Sequence, residues 1–495
     1  MAPACHRCLK GFSMKFTTHS LAAKITLSFR VLAIAGFLLY PSIPAFAIGL
    51  DDVTTTVLHC GTLLDVENKK TEKDISIVVK GERITKIGKD IAIPKGAKVL
   101  DLSDRICLPG LMDMHVHPLA HNRIELMYGK ERSSAEYALV GARNVADMLY
   151  RGYTTLRIPG HPPDPGYALV DLKNAINAGI LEGPRLFVAP HMLIPERWWS
   201  LEEKIKYIKV QYPDLTDEEV NDRAIEQLAS PRSRGAHIHG SFTDGPEGAR
   251  EAVRRQIDHG ADWIKIHLDS GGQLDSELTH NLLSDEEVHA LVHETHRLNK
   301  RVAVGAHGDV AASTATLAGA DSIEHGMYLS ESTAQLMKKR GTYLVPTLAL
   351  FNAYLFRFEQ KDNPNVTLSA YERMATEGFA PYEARVRQDS NVRNARFKQA
   401  YKIGVNMANG SDQVDVLGAL REFSYLVEQG VTHWDVLRMA TINSADLLGM
   451  QDQIGSIRVG KYADIIAVPE NPLKRIEALQ TVNFVMKGGE VIRRQ

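Results

Sequence analysis

Two kinds of apolar pattern follow one another along the chain. Between residues 53 and 107, short strand-like runs are separated by polar turns, and the tail from residue 453 onward has the same character. Because both ends are β-rich, we expect residues 48–107 and 453–495 to build one small β-sandwich together. The strands predicted in the first part lie at 54–58, 75–79, 84–87 and 98–102.

The middle of the chain, residues 108–452, alternates short apolar strands with amphipathic helices. Some helices begin with a capping-box pair, such as Ser284 with Glu287 or Thr216 with Glu219. Strand–helix alternation over about 340 residues predicts a parallel α/β domain, and an eight-fold barrel fits the length. An open doubly wound sheet is the alternative. The predicted strands lie at 154–157, 185–189, 263–268, 301–304, 322–324, 343–345 and 405–407.

The first 47 residues have the pattern of a signal peptide rather than of a folded domain. Lys15, Lys24 and Arg30 precede a short apolar run at 31–40, and Ala45-Phe46-Ala47 is a small-residue cleavage site. The apolar run is short for a bilayer span, although an uncleaved anchor is the alternative. The sequence therefore predicts cleavage near Ala47 and a periplasmic or secreted protein, with no membrane association after cleavage.

Composition narrows the class of protein and the state of its cysteines. The 495 residues are 44% hydrophobic and 24% charged, with a formal net charge of −2, so a soluble globular enzyme is expected and nucleic-acid binding is not. Cys5 and Cys8 would be removed with the leader. An oxidising compartment permits a Cys60–Cys107 disulfide, but their apolar, strand-like surroundings favour two buried thiols.

The strongest candidate for chemistry is the run Asp113-Met114-His115-Val116-His117. Side chains alternate along a strand, so Asp113, His115 and His117 share one face. Two imidazoles one strand-step apart can clamp a divalent ion, and imidazole suits zinc. Two hydrogen-bonded core histidines are the alternative interpretation.

Further polar residues stand inside or at the end of later apolar strands. Lys265 lies in a strand so apolar that its charge must be paired or removed. His325 closes the strand at 322–324, and Asp412 follows the last one. Barrels place their chemistry at the carboxyl ends of strands, so this order of residues predicts a metal site there.

In these motifs the chain resembles the amidohydrolase superfamily, in its imidazolonepropionase-like and Xaa-Pro-dipeptidase-like branch. The resemblance covers nearly all of the chain after the leader. It implies a distorted (β/α)8 TIM barrel over 108–452, a composite β-sandwich from both termini, and a metal site at the barrel mouth. The segments that carry it lie at 108–117, 152–157, 244–246, 260–265, 320–326, 410–412 and 455–464.

The resemblance also implies a set of ligands. His115, His117 and Asp412 would hold one metal ion, and Lys265, carboxylated on its side chain, would bridge to a second ion. Histidines of the fifth and sixth strands, here His307 and His325, would complete that second site. The cofactor is therefore one or two divalent ions, with zinc expected.

One departure concerns the fifth strand. The family places the metal-binding histidine of this strand at the position of Gly305, whereas the histidine present is His307. Either His307 reaches inward from one step higher, or His307 binds substrate and the second metal site is depleted.

The function implied is metal-dependent hydrolysis of amide-type C–N bonds in a small molecule, with a dipeptide or N-acyl amino acid favoured. Asp412 would move the proton, and His307 would polarise the carbonyl group. His267, one step nearer the mouth than Lys265, is expected to bind substrate, as are Arg157 and His191. A lactonase or esterase on the same scaffold and a degenerate, non-catalytic binding protein are the alternatives. A homo-oligomer is compatible with the sequence.

Overall fold

The structure is a computed structural model. It describes residues 54–121, 132–160, 166–195, 215–229, 242–243, 245–269, 280–350 and 383–494, with single residues 201, 205, 208, 209, 352 and 355. The predicted leader, residues 1–47, lies outside these ranges. Within them, none of the helices combines the length and the apolar character that a bilayer span requires.

The elements follow one another in the alternating order that the sequence predicts. The strands are β1 Thr55–Asp65, β2 Lys70–Lys80, β3 Arg83–Gly88, β4 Lys98–Pro109, β5 Leu111–Asp113, β6 Tyr153–Pro159, β7 Arg185–Ala189, β8 Met192–Pro195, β9 Phe242–Thr243, β10 Trp263–His267, β11 Arg301–Ala306, β12 Ser322–His325, β13 Tyr343–Val345, β14 Ile465–Val468, β15 Phe484–Lys487 and β16 Glu490–Arg494. The helices are α1 Ser134–Tyr150, α2 Ala168–Asn177, α3 Asp217–Ala229, α4 Gly245–Asp258, α5 Asp285–Arg297, α6 Asp309–Ala318, α7 Glu331–Arg340, α8 Glu383–Ile403, α9 Val416–Glu428, α10 His433–Met439 and α11 Ile442–Leu447, with a 3₁₀ helix at Ile476–Thr481.

The two ends of the chain form one seven-stranded sheet, as predicted. Its order is β16-β15-β14-β4-β1-β2-β3. β4 is the junction, because it pairs in parallel with β1 and antiparallel with β14. Apolar side chains from both ends, including Leu58, Ile77, Ile465 and Phe484, are buried in one cluster. Burial of this shared apolar surface holds the two ends together.

Cys60 and Cys107 form a disulfide, so the expectation of two free thiols was wrong. The cysteines lie on the neighbouring strands β1 and β4, and their Cα atoms are 6.0 Å apart, within bonding reach. Both are fully buried. The apolar context predicted their burial correctly, but it carried no information on how the two strands pair.

The middle of the chain forms the TIM-barrel type of fold, which confirms the predicted barrel over the doubly wound sheet. Its strands lie in two sheets, β5-β6-β7 and β13-β12-β11-β10-β8-β9, and all their pairings are parallel. Each strand of β10–β12 is buried along almost its whole length, as strands covered on both faces must be.

The predicted strand at 405–407 is not a regular strand, because only Met407 forms a ladder bridge, to Leu344 of β13. The backbone of segment 406–413 nevertheless forms hydrogen bonds to a neighbouring segment on each side. Leu344 N donates to the carbonyl of Asn406, and Met114 N donates to that of Asn409. This irregular segment therefore brings the loop carrying Asp412 next to the residues that follow β5.

Local signals explain where several helices begin. Ser284 and Glu287 form the predicted capping box, in which each side chain accepts a hydrogen bond from the other residue's backbone N–H. Thr216 and Glu219 make the same reciprocal contacts before α3. Ser330 caps α7 through the N–H of Thr333. These caps fix where each helix starts after its strand, and so how far each strand-end loop extends.

Candidate metal centre

His115 and His117 lie just beyond β5, which ends at Asp113. Their backbone is held by the facing segment: Asp412 N donates to the carbonyl of His115 at 2.6 Å, and His117 N donates to that of Gln413 at 2.9 Å. Gly410 makes this approach possible, because a Cβ atom there would lie 3.0 Å from Cβ of His115. The two segments therefore present their side chains to one another at close range.

The imidazoles and the carboxylate converge. Nε2 of His117 is 3.1 Å and Nε2 of His115 is 3.7 Å from Oδ1 of Asp412. The possible ligand atoms of His115, His325 and Asp412 all lie within 4.8 Å of one another, and these three side chains and that of His117 are buried. Residues separated by some three hundred positions thus meet at the carboxyl ends of the strands.

Each histidine is oriented by a partner on its other ring nitrogen. Nδ1 of His115 donates to Oε2 of Glu324 at 2.7 Å, and Nδ1 of His117 donates to the carbonyl of Gly160 at 2.8 Å. Nδ1 of His325 is hydrogen-bonded to Oγ1 of Thr347 at 2.8 Å. Such partners fix the tautomer and the orientation of metal-binding histidines.

The resulting arrangement suits a cation. With their Nδ1 atoms hydrogen-bonded to Glu324 and Gly160, His115 and His117 turn Nε2 toward the carboxylate of Asp412. Burial lowers the pKa of His115 to about 4, so its ring is neutral at pH 7. Electron-rich atoms facing one another in a buried site are stabilised by a divalent ion, and this nitrogen and oxygen donor set suits zinc. The residues present therefore fit the metal that the sequence predicted.

The buried ion pair of Arg157 and Glu324 adjoins His115. Nη2 of Arg157 donates to Oε1 of Glu324 at 2.6 Å, and Nη1 of Arg157 donates to Ser322 at 2.9 Å. Burial raises the pKa of Glu324, but Arg157 and His115 outweigh it and lower that pKa to about 2. Arg157 was expected to bind a substrate carboxylate. Its guanidinium is instead fully buried and bonded to Glu324, which it keeps ionised to hold His115.

Lys265 lies inside the barrel, as its strand predicted. It is 1% exposed, and its Nζ has no hydrogen-bond partner among the residues described. Burial lowers its pKa to about 8, because removal from water disfavours the charged amine. An amine held without a partner in a buried polar layer is a candidate for modification or for contact with a bound ion.

His307 is positioned by Asp269, a residue that sequence reasoning missed. Nδ1 of His307 donates to Oδ1 of Asp269 at 3.0 Å, and Oδ2 accepts from the backbone N–H groups of His307 and Gly308 at 2.6 and 2.8 Å. The ring of His307 stacks on that of His325, with centroids 4.4 Å apart. His307 thus borders the cluster of His115, His117, His325 and Asp412 through the ring of His325.

His267 and His191 lie at different places in the barrel. Nδ1 of His267 donates to the backbone carbonyl of Asp269 at 3.1 Å, and its ring centroid is 5.7 Å from that of His307. His191 contacts Oε1 of Gln256 and the ring edge of Tyr167. His267 therefore belongs to the row of imidazoles around the cluster, whereas the substrate role predicted for His191 stays a prediction.

Backbone strain marks the same place. His325, Thr347 and Asp412 have φ values of 73°, 48° and 55°, in the left-handed region that non-glycine residues rarely adopt. Such conformations cost roughly 1–3 kcal/mol each and concentrate at functional sites. The surrounding contacts therefore hold these side chains where an unstrained strand end would not.

A signal for Glu324 was present in the sequence. An acidic residue between Ile323 and His325 in a short apolar strand needs a buried partner, by the argument already applied to Lys265. Asp269 carried a weaker signal in the sequence, since its partner His307 stands 38 positions later.

Comparison with known proteins agrees with this geometry. The model of the amidohydrolase family matches residues 106–492. The chain is 27% identical over 464 residues to the ochratoxinase of Aspergillus niger, covering 91% of this chain and 89% of that protein. It is 30% identical to the crystal structure of an Xaa-Pro dipeptidase with bound methionine in the active site, with a TM-score of 0.70 over 89% of this chain and all of the other.

A further solved structure is a prolidase complexed with N-methylphosphonate-L-proline. It is 26% identical to this chain, with a TM-score of 0.71 over 89% of this chain and 100% of the other. The family match spans the barrel and the C-terminal strands of the composite sheet, and it includes His115, His117, His325 and Asp412. The chain therefore belongs to the amidohydrolase family.

Proposed function

We propose that this protein is a metal-dependent hydrolase that cleaves amide-type C–N bonds of a small substrate. The observation that carries the proposal is the meeting of three electron-rich groups: Nε2 of His115 and of His117 both face Oδ1 of Asp412, at 3.7 and 3.1 Å. A histidine pair facing a carboxylate is a ligand set, and membership of the amidohydrolase family supports its use in hydrolysis.

The divalent ion, with zinc as the best match to the donors, would be held by His115, His117 and Asp412, with His325 beside it. When bound, it supplies Lewis acidity that makes water an effective nucleophile near neutral pH. Around it, Glu324, Gly160 and Thr347 keep the three rings in one orientation, so that little reorganisation is needed for binding.

Lys265 is proposed to be carboxylated. Its neutral amine would attack carbon dioxide, forming an N–C bond and releasing one proton, which turns a neutral amine into a carbamate anion. The support is the buried Nζ, which has no hydrogen-bond partner in the described part of the chain, together with its lowered pKa, since both favour the neutral nucleophilic amine.

Asp412 is proposed to carry the proton. It accepts a proton from the attacking water as the water oxygen bonds to the carbonyl carbon. It then passes that proton to the leaving nitrogen as the C–N bond breaks, which yields a carboxylic acid and an amine. In its protonated form, His307 has Nδ1–H held by Asp269 and a second N–H to donate to the carbonyl oxygen as negative charge develops there.

The substrate class is proposed to be dipeptides or N-acyl amino acids. Its support is the similarity to the Xaa-Pro dipeptidase and to the prolidase with a proline-derived phosphonate. A net charge of −2 gives no general attraction to nucleic acid, in keeping with a small-molecule substrate.

A hydrolysis screen tests the proposal. The purified protein is assayed on dipeptides, N-acyl amino acids, esters and lactones, with chelator, after zinc is restored, and as D412N. We expect amide cleavage that the chelator abolishes, zinc restores and D412N lacks. Chelator-insensitive cleavage, or turnover of esters or lactones alone, would overturn the assignment to amides, and no turnover would favour a binding protein.

We also propose that the protein is exported. The predicted leader supports this, and so does the Cys60–Cys107 disulfide, because disulfides persist in oxidising compartments. Mass spectrometry of the native protein should give an N-terminus near residue 48. An unprocessed chain with free thiols would contradict export. The homo-oligomer stays a prediction, which analytical ultracentrifugation would test.

A further inference from the structure

The interior of the barrel has a gap in its lining at Gly305 of β11. The backbone conformation does not require a glycine at position 305, since the φ of Gly305 is not in the left-handed region that glycines elsewhere in the chain adopt. A glycine is required because there is no room for a side chain. A Cβ atom at this position would lie 3.1 Å from Nζ of Lys265 and 3.3 Å from Cδ2 of His267. The place where a side chain of β11 would stand is therefore filled by two side chains of β10.

The pairing of the strands explains how this happens. His267 is the direct register partner of Gly305, and Lys265 is the partner of Ala303. Alternation along β10 turns Lys265 and His267 to the same face, toward the barrel interior. The ring of His267 can therefore lie across a strand that has no side chain at the matching level.

The two side chains that fill the gap are both ligand types. His267 is 8% exposed, and its Nδ1–H is donated to the carbonyl of Asp269, which places the lone pair of the neutral ring on Nε2. Lys265 is more deeply buried, and within the described residues its Nζ has no partner. An amine left without a partner in this position indicates that the lining is completed by something bound.

We infer that His267 supplies, from β10, the imidazole that β11 lacks at Gly305, and that His267, carboxylated Lys265 and His325 hold a second divalent ion beside the first. The inference rests on the proposed function. It gives His267 a different role from the substrate contact expected for it. It also leaves His307, held at both Nδ1 and its backbone N–H by Asp269, to face the substrate.

Metal stoichiometry of the full-length mature protein, measured by elemental analysis after equilibration with zinc, tests this inference without any activity assay. We expect about two ions per chain in the unaltered protein, about one in H267A and about two in H307A. G305H alone should lose the second ion, because the new side chain meets the His267 ring and Lys265.

The double variant H267A/G305H provides the sharpest comparison, since it moves the imidazole from β10 to β11 and removes the ring it would meet. Restoration of the second ion in this variant would show that H267A lost a ligand and not its fold. Two ions retained in H267A would overturn the inference, as would a single ion in the unaltered protein. Absence of any bound ion would instead overturn the proposed function.

Discussion

Nδ1 of His115 and Oε2 of Glu324 lie 2.7 Å apart in the interior of the barrel, although 209 positions separate them in the sequence. The other oxygen of Glu324 accepts from Arg157, so three buried side chains form a continuous chain of charge-assisted hydrogen bonds. These hydrogen bonds connect His115 of the metal site to the buried side chains of Glu324 and Arg157. They make the orientation of His115 depend on two side chains that are fully buried.

Replacement of Glu324 by Gln should weaken metal binding. The amide retains the size of the side chain but loses the charge that holds His115 and neutralises Arg157, so zinc affinity should fall by about 10–100-fold. Stability should fall by about 3–5 kcal/mol, because Arg157 is left buried without its counter-ion. Chelator competition measures the first effect and urea unfolding the second. The exposed Glu286→Gln in α5 is the matched control, and equal affinities in the two variants would contradict this role.

Replacement of Asp269 by Asn should reduce turnover while leaving the metal in place. The amide cannot accept from Nδ1 of His307 and from both backbone N–H groups as the carboxylate does, so the ring loses its fixed orientation. We expect kcat to fall by about 100-fold or more with a small change in KM and unchanged zinc content. Asp258→Asn, at an exposed position at the end of α4, serves as the control. Zinc lost together with activity would instead place His307 among the ligands.

The unfolding free energy of metal-free protein should depend on pH through Lys265. Its pKa is about 8 when folded and near 10.5 when exposed, so between these values the unfolded chain binds more protons than the folded one. Stability should therefore rise with pH over this window, by about 3 kcal/mol in total. In chelator-treated, carbon dioxide-free buffer, Lys265→Met should lack this rise. Parallel curves for the two proteins would show that Lys265 does not titrate as described.

Loss of the disulfide should destabilise the composite sheet. The Cys60–Cys107 bond closes a separation of 47 positions, for which the entropy lost by the unfolded chain corresponds to roughly 4 kcal/mol. The double variant C60A/C107A should therefore unfold at lower urea concentration. A reductant should shift the unaltered protein in the same direction and leave the double variant unmoved. No difference between oxidised and reduced protein would contradict a structural role for the bond.

Much of the site could be predicted from local pattern because barrel folds collect strand-end residues at one edge. His115, His117, His325 and Asp412 each follow or close an apolar strand, and the structure brings all four together. Lys265 was found from the cost of burying a charge in an apolar strand. These inferences needed only alternation, burial and the direction of parallel strands.

The remainder depended on pairings that local pattern does not encode. Three contacts join positions far apart in the sequence. They are the hydrogen bond of Arg157 to Glu324, the disulfide between β1 and β4, and the hydrogen bond of His307 to Asp269. The segment 406–413 departs from regular strand geometry because it packs against β13 on one side and against His115 on the other. Gly410 allows the close approach to His115. The sequence could identify the chemistry available, while the partner of each side chain was set by strand register.

Anomalous diffraction from crystals of the zinc-equilibrated protein can show whether His115, His117 and Asp412 hold a divalent ion. We expect an anomalous peak within coordination distance of Nε2 of His115, Nε2 of His117 and the carboxylate of Asp412. A map with no peak among these atoms, or with zinc bound only elsewhere on the molecule, would contradict this expectation.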